Sequence, residues 1–194
     1  MRAILKVGAL ILASAGVVQA APAFTLTSSA FKNNAAIPDK YSFNAMGCTG
    51  ENVAPPLDWK NAPAGTKSFA LMVHDPDAPT GSGWWHWVAY NIPATATSLP
   101  EGGALPTGAV AGNSDFGKPG YGGPCPPPGS GKHHYNFTLF ALKVDKIEVP
   151  PGASPAMVGF NANANALGKA KLTGIYSRPK AKDAVAAPAP APAK

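Results

Sequence analysis

Ser68-Phe-Ala-Leu-Met-Val-His-Asp75, followed by Pro76-Asp-Ala-Pro79 and then Trp84-Trp-His-Trp-Val-Ala-Tyr-Asn-Ile92, is the stretch that decides the fold. Ser68–Asp75 is almost continuously apolar, the pattern of a central strand. The two prolines after it remove backbone donors and fix φ, so the ladder cannot run on. Strand-forming residues resume at Trp84 and continue through Val88–Ile92. The reading is strand, rigid corner, strand, with Asp75 held at a strand end by stiff neighbours. A side-chain period of two puts His86, Val88 and Tyr90 on one face of the second strand and Trp85, Trp87 and Ala89 on the other. An acid and an imidazole are thus offered from adjacent backbone.

Working outward, Ala23–Thr27 alternates and reads as a first strand. Ile37–Phe43 reads as a second, with Pro38 near its start, where a ladder donor is least missed. Gly47–Trp59 carries too many breakers to be regular and ends in a short strand over Leu57–Trp59. Asn61–Gly65 is a turn, and Thr95–Val110 reads as surface loop. Gly112–Gly131 holds seven glycines and five prolines in 20 residues. Loops that long inside a compact domain are as a rule functional or disordered; Tyr121 and Cys125 in its middle argue that this one is tied down. His133–Val144 is the longest strand signal. Ser154 as N-cap and Pro155 at the first helical position predict a short helix to about Leu167, weakened by Gly159 and three asparagines in its body. Lys169–Tyr176 is a last strand. Many strands, one helix and breaker-rich loops define a mainly β domain.

The domain is expected over residues 21–179. Met1–Ala20 stands apart: a basic start at Arg2 and Lys6, an apolar run over Val7–Val18, and small residues before Ala21. That is the pattern of a secretory signal, too short for a membrane span, and it implies a periplasmic or secreted protein. No later stretch approaches 18 apolar residues, so no membrane-spanning segment is expected. Residues 180–194 form an Ala/Pro tail, expected to be extended and disordered. Without the leader, 14 basic residues face 10 acidic ones. This mild excess, partly in the tail, does not mark a nucleic-acid partner. In an exported chain Cys48 and Cys125 are expected to pair, the alternative being two buried thiols. Two cysteines cannot make a Cys-rich zinc site.

All four histidines fall in two dense stretches: His74 and His86 in the first, His133 and His134 in the second. His133 and Tyr135 share one face of their strand, and His134 and Asn136 the other. Asp75, His86, His133 and Tyr135 are expected to converge, with the Gly/Pro loop as a rim. Imidazole and phenol donors, with backbone N–H groups exposed by glycine, bind phosphate or carboxylate oxygens. Asp75 would orient one imidazole and raise its proton affinity. A lone buried histidine is most often satisfied within a core; two with a tyrosine and an acid beside a rigid loop favour a ligand site. The three tryptophans read as core, with Trp84 the one that could wall the pocket.

Competing motifs fail on inspection. Gly129-Ser-Gly-Lys132 lacks the earlier glycine of a phosphate loop and leads into a strand. A calcium loop from Asp75 would have Pro79 and His86 at ligand positions. No serine sits on a recognisable nucleophile elbow. A two-His, one-carboxylate metal site is a weaker alternative. Asn136-Phe-Thr138 matches a glycosylation sequon but lies in a predicted strand.

These motifs, together with Gly120-Tyr-Gly-Gly-Pro-Cys-Pro-Pro127, Cys48–Trp59 and Leu172-Thr-Gly-Ile-Tyr-Ser177, resemble the phosphatidylethanolamine-binding protein (PEBP) family, in particular its bacterial, Raf kinase inhibitor-like branch. The resemblance runs from about Phe24 to Arg178. It implies two antiparallel sheets in a β-sandwich with one or two short helices, and a small pocket for phosphate head groups and similar oxyanions. Carried over by motif, the pocket wall is Asp75, His86, His133 and Tyr135, adjoined by the loop over Gly122, Gly123 and Pro124. The resemblance implies no catalytic residue, no cofactor and no metal. Some relatives inhibit kinases or proteases. That leaves a second reading, an interaction or inhibitor module that uses the Gly112–Gly131 loop on a protein partner in the envelope, and a third and weaker one, a metal-dependent or acid–base enzyme. His134 stands where the family commonly has Arg, on the strand face away from the pocket. The Ala/Pro tail replaces a C-terminal helix found near the pocket in mammalian relatives.

Overall fold

The computed structural model describes residues 22–180; the predicted leader and all but the first residue of the predicted tail lie outside them. The strands are β1 (Thr25–Thr27), β2 (Ala35–Ala36), β3 (Leu57–Lys60), β4 (Ser68–Asp75), β5 (Trp84–Pro93), β6 (Ser98–Leu99), β7 (Val110–Gly112), β8 (His133–Leu142) and β9 (Ala166–Tyr176), with one helix, α1 (Pro155–Asn165), before β9. A three-stranded sheet runs β1-β3-β6 and a six-stranded sheet β2-β9-β8-β4-β5-β7. Every pairing is antiparallel except the two-residue β2–β9 edge.

Three layers follow from the strand patterns. Phe69, Leu71 and Val73 of β4 and Phe137, Leu139 and Ala141 of β8 face the small sheet and meet Leu26, Leu57, Trp59 and Leu99. Ala70 and Met72, with Phe140 and Leu142, face the other way and are covered by Val158 and Ala162 of α1 and by Ile147. β4 is buried on both faces, hence its unbroken apolar run. The Ser154 side chain accepts the Met157 N–H and Pro155 opens the helix, as the cap reading requires. α1 ends at Asn165, and β9 begins at Ala166, three residues before the expected Lys169.

Two expectations fail for local reasons. Ile37–Phe43 is not a strand. The Pro38 and Asp39 carbonyls accept the Tyr41 and Ser42 N–H groups, closing a 3-10 turn over Asp39–Tyr41. Thr95–Val110 is not all loop, because Ser98–Leu99 pairs with β3 and Val110 opens the edge strand β7. A third correction reaches the site. β4 and β5 pair Val73 with Trp87 but His74 with Trp85, so His86 is the extra residue of a bulge. The period of two breaks there. Trp87 and Ala89 face the inter-sheet core, while Trp85 joins Val88 and Tyr90 on the helix side. His86 is turned to the face that Tyr135 occupies, not to that of Val88 and Tyr90 as strict alternation required.

Candidate functional site

At the Asp75 end of β4 the inter-sheet face stops being apolar. Asp75, His86, His133 and Tyr135 are all buried, between 1% and 4% exposed, and all four line one cavity of about 210 Å³. That is smaller than the ~300–1,000 Å³ of drug-sized pockets and suits a small head group. Trp84 and Phe116 form an aromatic wall, Ala78, Pro79 and Thr80 of the rigid corner a second side, and Met46 with Cys125, Pro126 and Pro127 a third. The lining residues include no lysine or arginine.

Each polar group can be followed to its partner. β7 pairs only with Val88–Tyr90 of β5, and beside Trp85 and His86 the Gly-rich loop takes its place. Asp115 N–H donates to Trp85 O at 3.0 Å, and Gly122 N–H donates to His86 O at 2.8 Å. Trp85 N–H in turn donates to Asp115 Oδ2 at 2.8 Å. His86 closes a two-point contact with Gly122: its Nδ1–H donates to the Gly122 carbonyl at 2.7 Å. This fixes the tautomer, so a neutral His86 carries an acceptor at Nε2. Burial lowers its pKa to about 4, against the pull of the Gly122 carbonyl, so at neutral pH the ring is uncharged.

His133 Nδ1–H donates to Asp75 Oδ2 at 2.7 Å, and Asp75 Oδ1 accepts the Asp77 N–H at 2.8 Å. Both Asp75 oxygens are therefore committed within the fold. His133 Nε2 lies 2.9 Å from Ser130 Oγ, and the single hydroxyl proton of Ser130 is placed between that nitrogen and Pro127 O at 2.8 Å, donating to one of them at a time. Ser130, His133 and Asp75 thus form a chain in the order of nucleophile, base and orienting acid, which the sequence did not suggest. The serine is shared with Pro127 and does not line the cavity; the chain holds the His133 ring in place. Both His133 nitrogens are thereby engaged, which leaves this ring as wall rather than as a free donor.

Tyr135 differs. Its ring packs edge-on to His86 at 4.9 Å, and its Oη is buried beside the Asp75 carboxylate without a partner in hydrogen-bond geometry. Burial, with the neighbouring Asp75 carboxylate, pushes its phenol well above the usual tyrosine range, so it stays an O–H donor. A buried donor left unpaired costs about 1–3 kcal/mol.

Gly122, Gly123 and Pro124 do not line the cavity. Their expected role as exposed N–H donors is not what the geometry provides, because Gly122 N–H is spent on His86 O and Gly123 N–H on Asn52 Oδ1. The glycines serve close approach instead. A Cβ on Gly122 would sit 2.2 Å from the Phe116 ring, and one on Gly123 would sit 2.2 Å from Tyr41 O. Cys48 and Cys125 are bonded. The bond ties Met46 and Gly47 to the Cys125–Pro127 wall, and Arg178 adds hydrogen bonds to Pro126 O and Gly47 O. Of the three tryptophans, Trp87 is core, Trp85 is on the helix side and Trp84 is cavity wall. Among the described residues no group of three His, Cys, Asp or Glu is placed to hold a metal ion, and no helix is long and apolar enough to cross a membrane.

Phe116, Met46, Pro126 and Pro127 were missed as wall residues. Phe116 had a usable signal: it is the lone aromatic of Gly112–Gly120. Met46 had none, since the Cys48–Cys125 bond is what brings it there.

The class of fold is a β-sandwich with a small, partly polar cavity at one end of its central strands. Residues 27–177 match the family of phosphatidylethanolamine-binding proteins, and the chain belongs to that family. It is 50% identical over 162 residues to the protein YbcL of Escherichia coli, covering 80% of this chain and 88% of that one. It is 40% identical over 157 residues to LppC of Mycobacterium tuberculosis, a protein named as a lipoprotein, covering 81% of this chain and 74% of that one. The crystal structure of E. coli YbcL, described as a new member of the mammalian PEBP family, superposes with a TM-score of 0.77 at 49% identity, covering 79% of this chain and 98% of that one.

Proposed function

We propose that this is an exported, non-catalytic binding protein that takes a phosphate-type anion, such as a phospholipid head group, in the cavity at the end of β4, β5 and β8. The observation that carries the reading is the unpaired Tyr135 Oη, a buried donor on a cavity wall, beside the ring of His86. One donor and one acceptor match a phosphate monoester that carries a proton, as the free head group phosphoethanolamine does and a lipid phosphodiester does not: an oxygen accepts from Tyr135, and the P–OH donates to His86 Nε2. A phosphate monoester loses that proton near pH 6. A dianionic ligand would need His86 to pick up a proton instead. Either way one proton accompanies the ligand, so affinity falls as pH rises above about 6.

Export is supported by the leader-like Met1–Ala20, by the Cys48–Cys125 bond and by the likeness to a mycobacterial protein named as a lipoprotein. Disulfides persist in oxidising compartments.

Calorimetry with phosphoethanolamine on wild type, Tyr135→Phe and His86→Ala tests the proposal. Wild type is expected to bind and both variants to weaken by about tenfold or more, the scale of a hydrogen bond to a charged group. Equal affinity in all three would refute it.

A further inference from the structure

The helix layer carries a second surface that the cavity does not use. α1 contains no charged residue, whereas a surface helix ordinarily turns a charged face to water. Its inward side is Pro155, Val158, Gly159 and Ala162. Outward it shows Phe160, 74% exposed, and Met157, 44% exposed; Leu167, just beyond its C-terminus, is 42% exposed. Three of the five large apolar side chains exposed among the described residues therefore lie on or next to this one helix.

Charge is concentrated around the same helix. The Lys143 N–H donates to Asn165 O at the helix C-terminus, and Lys67 N–H donates to Leu142 O beside it. Lys169 reaches Asn163 Oδ1 on α1 and lies 5.1 Å over the Phe140 ring, beneath the helix layer. Lys171 is two residues on along β9, on the same face. With Lys146 these make five lysines, against Asp145, itself 3.8 Å from Lys67, and Glu148. The rest of the described chain is balanced, with seven basic and seven acidic residues. These five lysines and two acids account for the positive excess of the described chain.

We propose that the α1 face docks on an anionic phospholipid surface, with Phe160 and Met157 entering the interface and Lys143, Lys169 and Lys171 facing the lipid phosphates. Exposed aromatic and thioether side chains with flanking lysines are the elements of interfacial anchoring, and each lysine near an anionic leaflet strengthens binding by about fivefold. An acidic protein would match the lysines but leave the uncharged helix face unexplained; a bilayer uses both. The surface is independent of the cavity and stands whether or not the cavity binds a head group.

Co-sedimentation of the full chain with vesicles tests it, comparing phosphatidylglycerol mixed with phosphatidylcholine against phosphatidylcholine alone. The expected result is binding to the anionic vesicles only, weakened by added salt. Phe160→Ser should weaken it about fivefold, and the double variant Lys169→Glu, Lys171→Glu more than tenfold, while Lys60→Glu, exposed on β3 of the other sheet, binds like wild type. All of the replaced α1 and β9 residues are exposed, and a thermal melt checks that each variant folds. No binding to anionic vesicles, equal binding to neutral ones, equal binding by the α1-face variants, or an equal loss in Lys60→Glu would overturn the proposal. So would a dimer that Phe160→Ser breaks in the absence of vesicle binding, which would assign the face to a second copy.

Discussion

Two buried polar atoms among the described residues lack a hydrogen-bond partner, Trp59 Nε1 and Tyr135 Oη, and they lie in very different regions. Trp59 is in the middle of the sandwich, edge-on to Phe69 at 5.4 Å and surrounded by apolar residues. Tyr135 is at the end of the sandwich, where the same sheet face turns polar and a cavity opens. Desolvation acts alike on both. The difference lies in the neighbour: the indole has only packing beside it, whereas the phenol has space that a ligand oxygen can fill. An unpaired buried donor marks a binding site only when a cavity adjoins it.

The predictions test that contrast, starting with the tie that holds the cavity end together. Replacing Cys48 and Cys125 by alanine opens a loop with a sequence separation of 77, which should cost about 4 kcal/mol in the chain-entropy account. Denaturant titration reads the loss. The variant should also bind phosphoethanolamine less well, since Met46 and Cys125–Pro127 line the cavity.

Acid should act mainly at the cavity end. His86 has its folded pKa lowered to about 4 from 6.5 by burial. Between those values the unfolded chain binds a proton that the folded chain does not. Its contribution to stability is therefore present above about pH 6.5 and lost as pH falls to about 4, by about 3 kcal/mol. Urea melts from pH 7 to pH 4 should show this loss in wild type and much less of it in His86→Gln.

Paired removals sharpen the comparison directly. Tyr135→Phe deletes an unpaired hydroxyl, so stability should hold or rise, by up to about 1–3 kcal/mol, while phosphoethanolamine affinity falls about tenfold. Trp59→Phe should do the reverse, lowering stability by about 1–3 kcal/mol through the void it leaves, with affinity unchanged. The smallest effect is expected at Asp77. It accepts from both His134 N and Nδ1 at 2.8 Å, on an exposed surface. Asp77→Asn should cost no more than about 1 kcal/mol and leave affinity within twofold.

The middle of the molecule was legible in the sequence because local pattern and tertiary environment agree there. β4 has the predicted bounds, and the Ser154–Pro155 helix start is where the cap chemistry puts it. Asp75, His86, His133 and Tyr135 do reach one cavity, as their clustering suggested. How each faces it was not legible. A bulge is one residue of excess that pairing decides, and only the β4–β5 register shows that His86 is that residue. The glycines were misread because their small size admits the Phe116 ring and the Tyr41 carbonyl, contacts that no local pattern encodes. The engagement of both His133 nitrogens depends on Ser130, three residues earlier, across a turn whose shape the sequence left open.

The most direct measurement is a high-resolution crystal structure of the protein grown with phosphoethanolamine at about pH 6, near the ligand's second pKa. The account predicts a phosphate in the cavity, with one oxygen within hydrogen-bond distance of Tyr135 Oη and another within reach of His86 Nε2. A ligand bound elsewhere, or a cavity left without it at saturating concentration, would contradict the account.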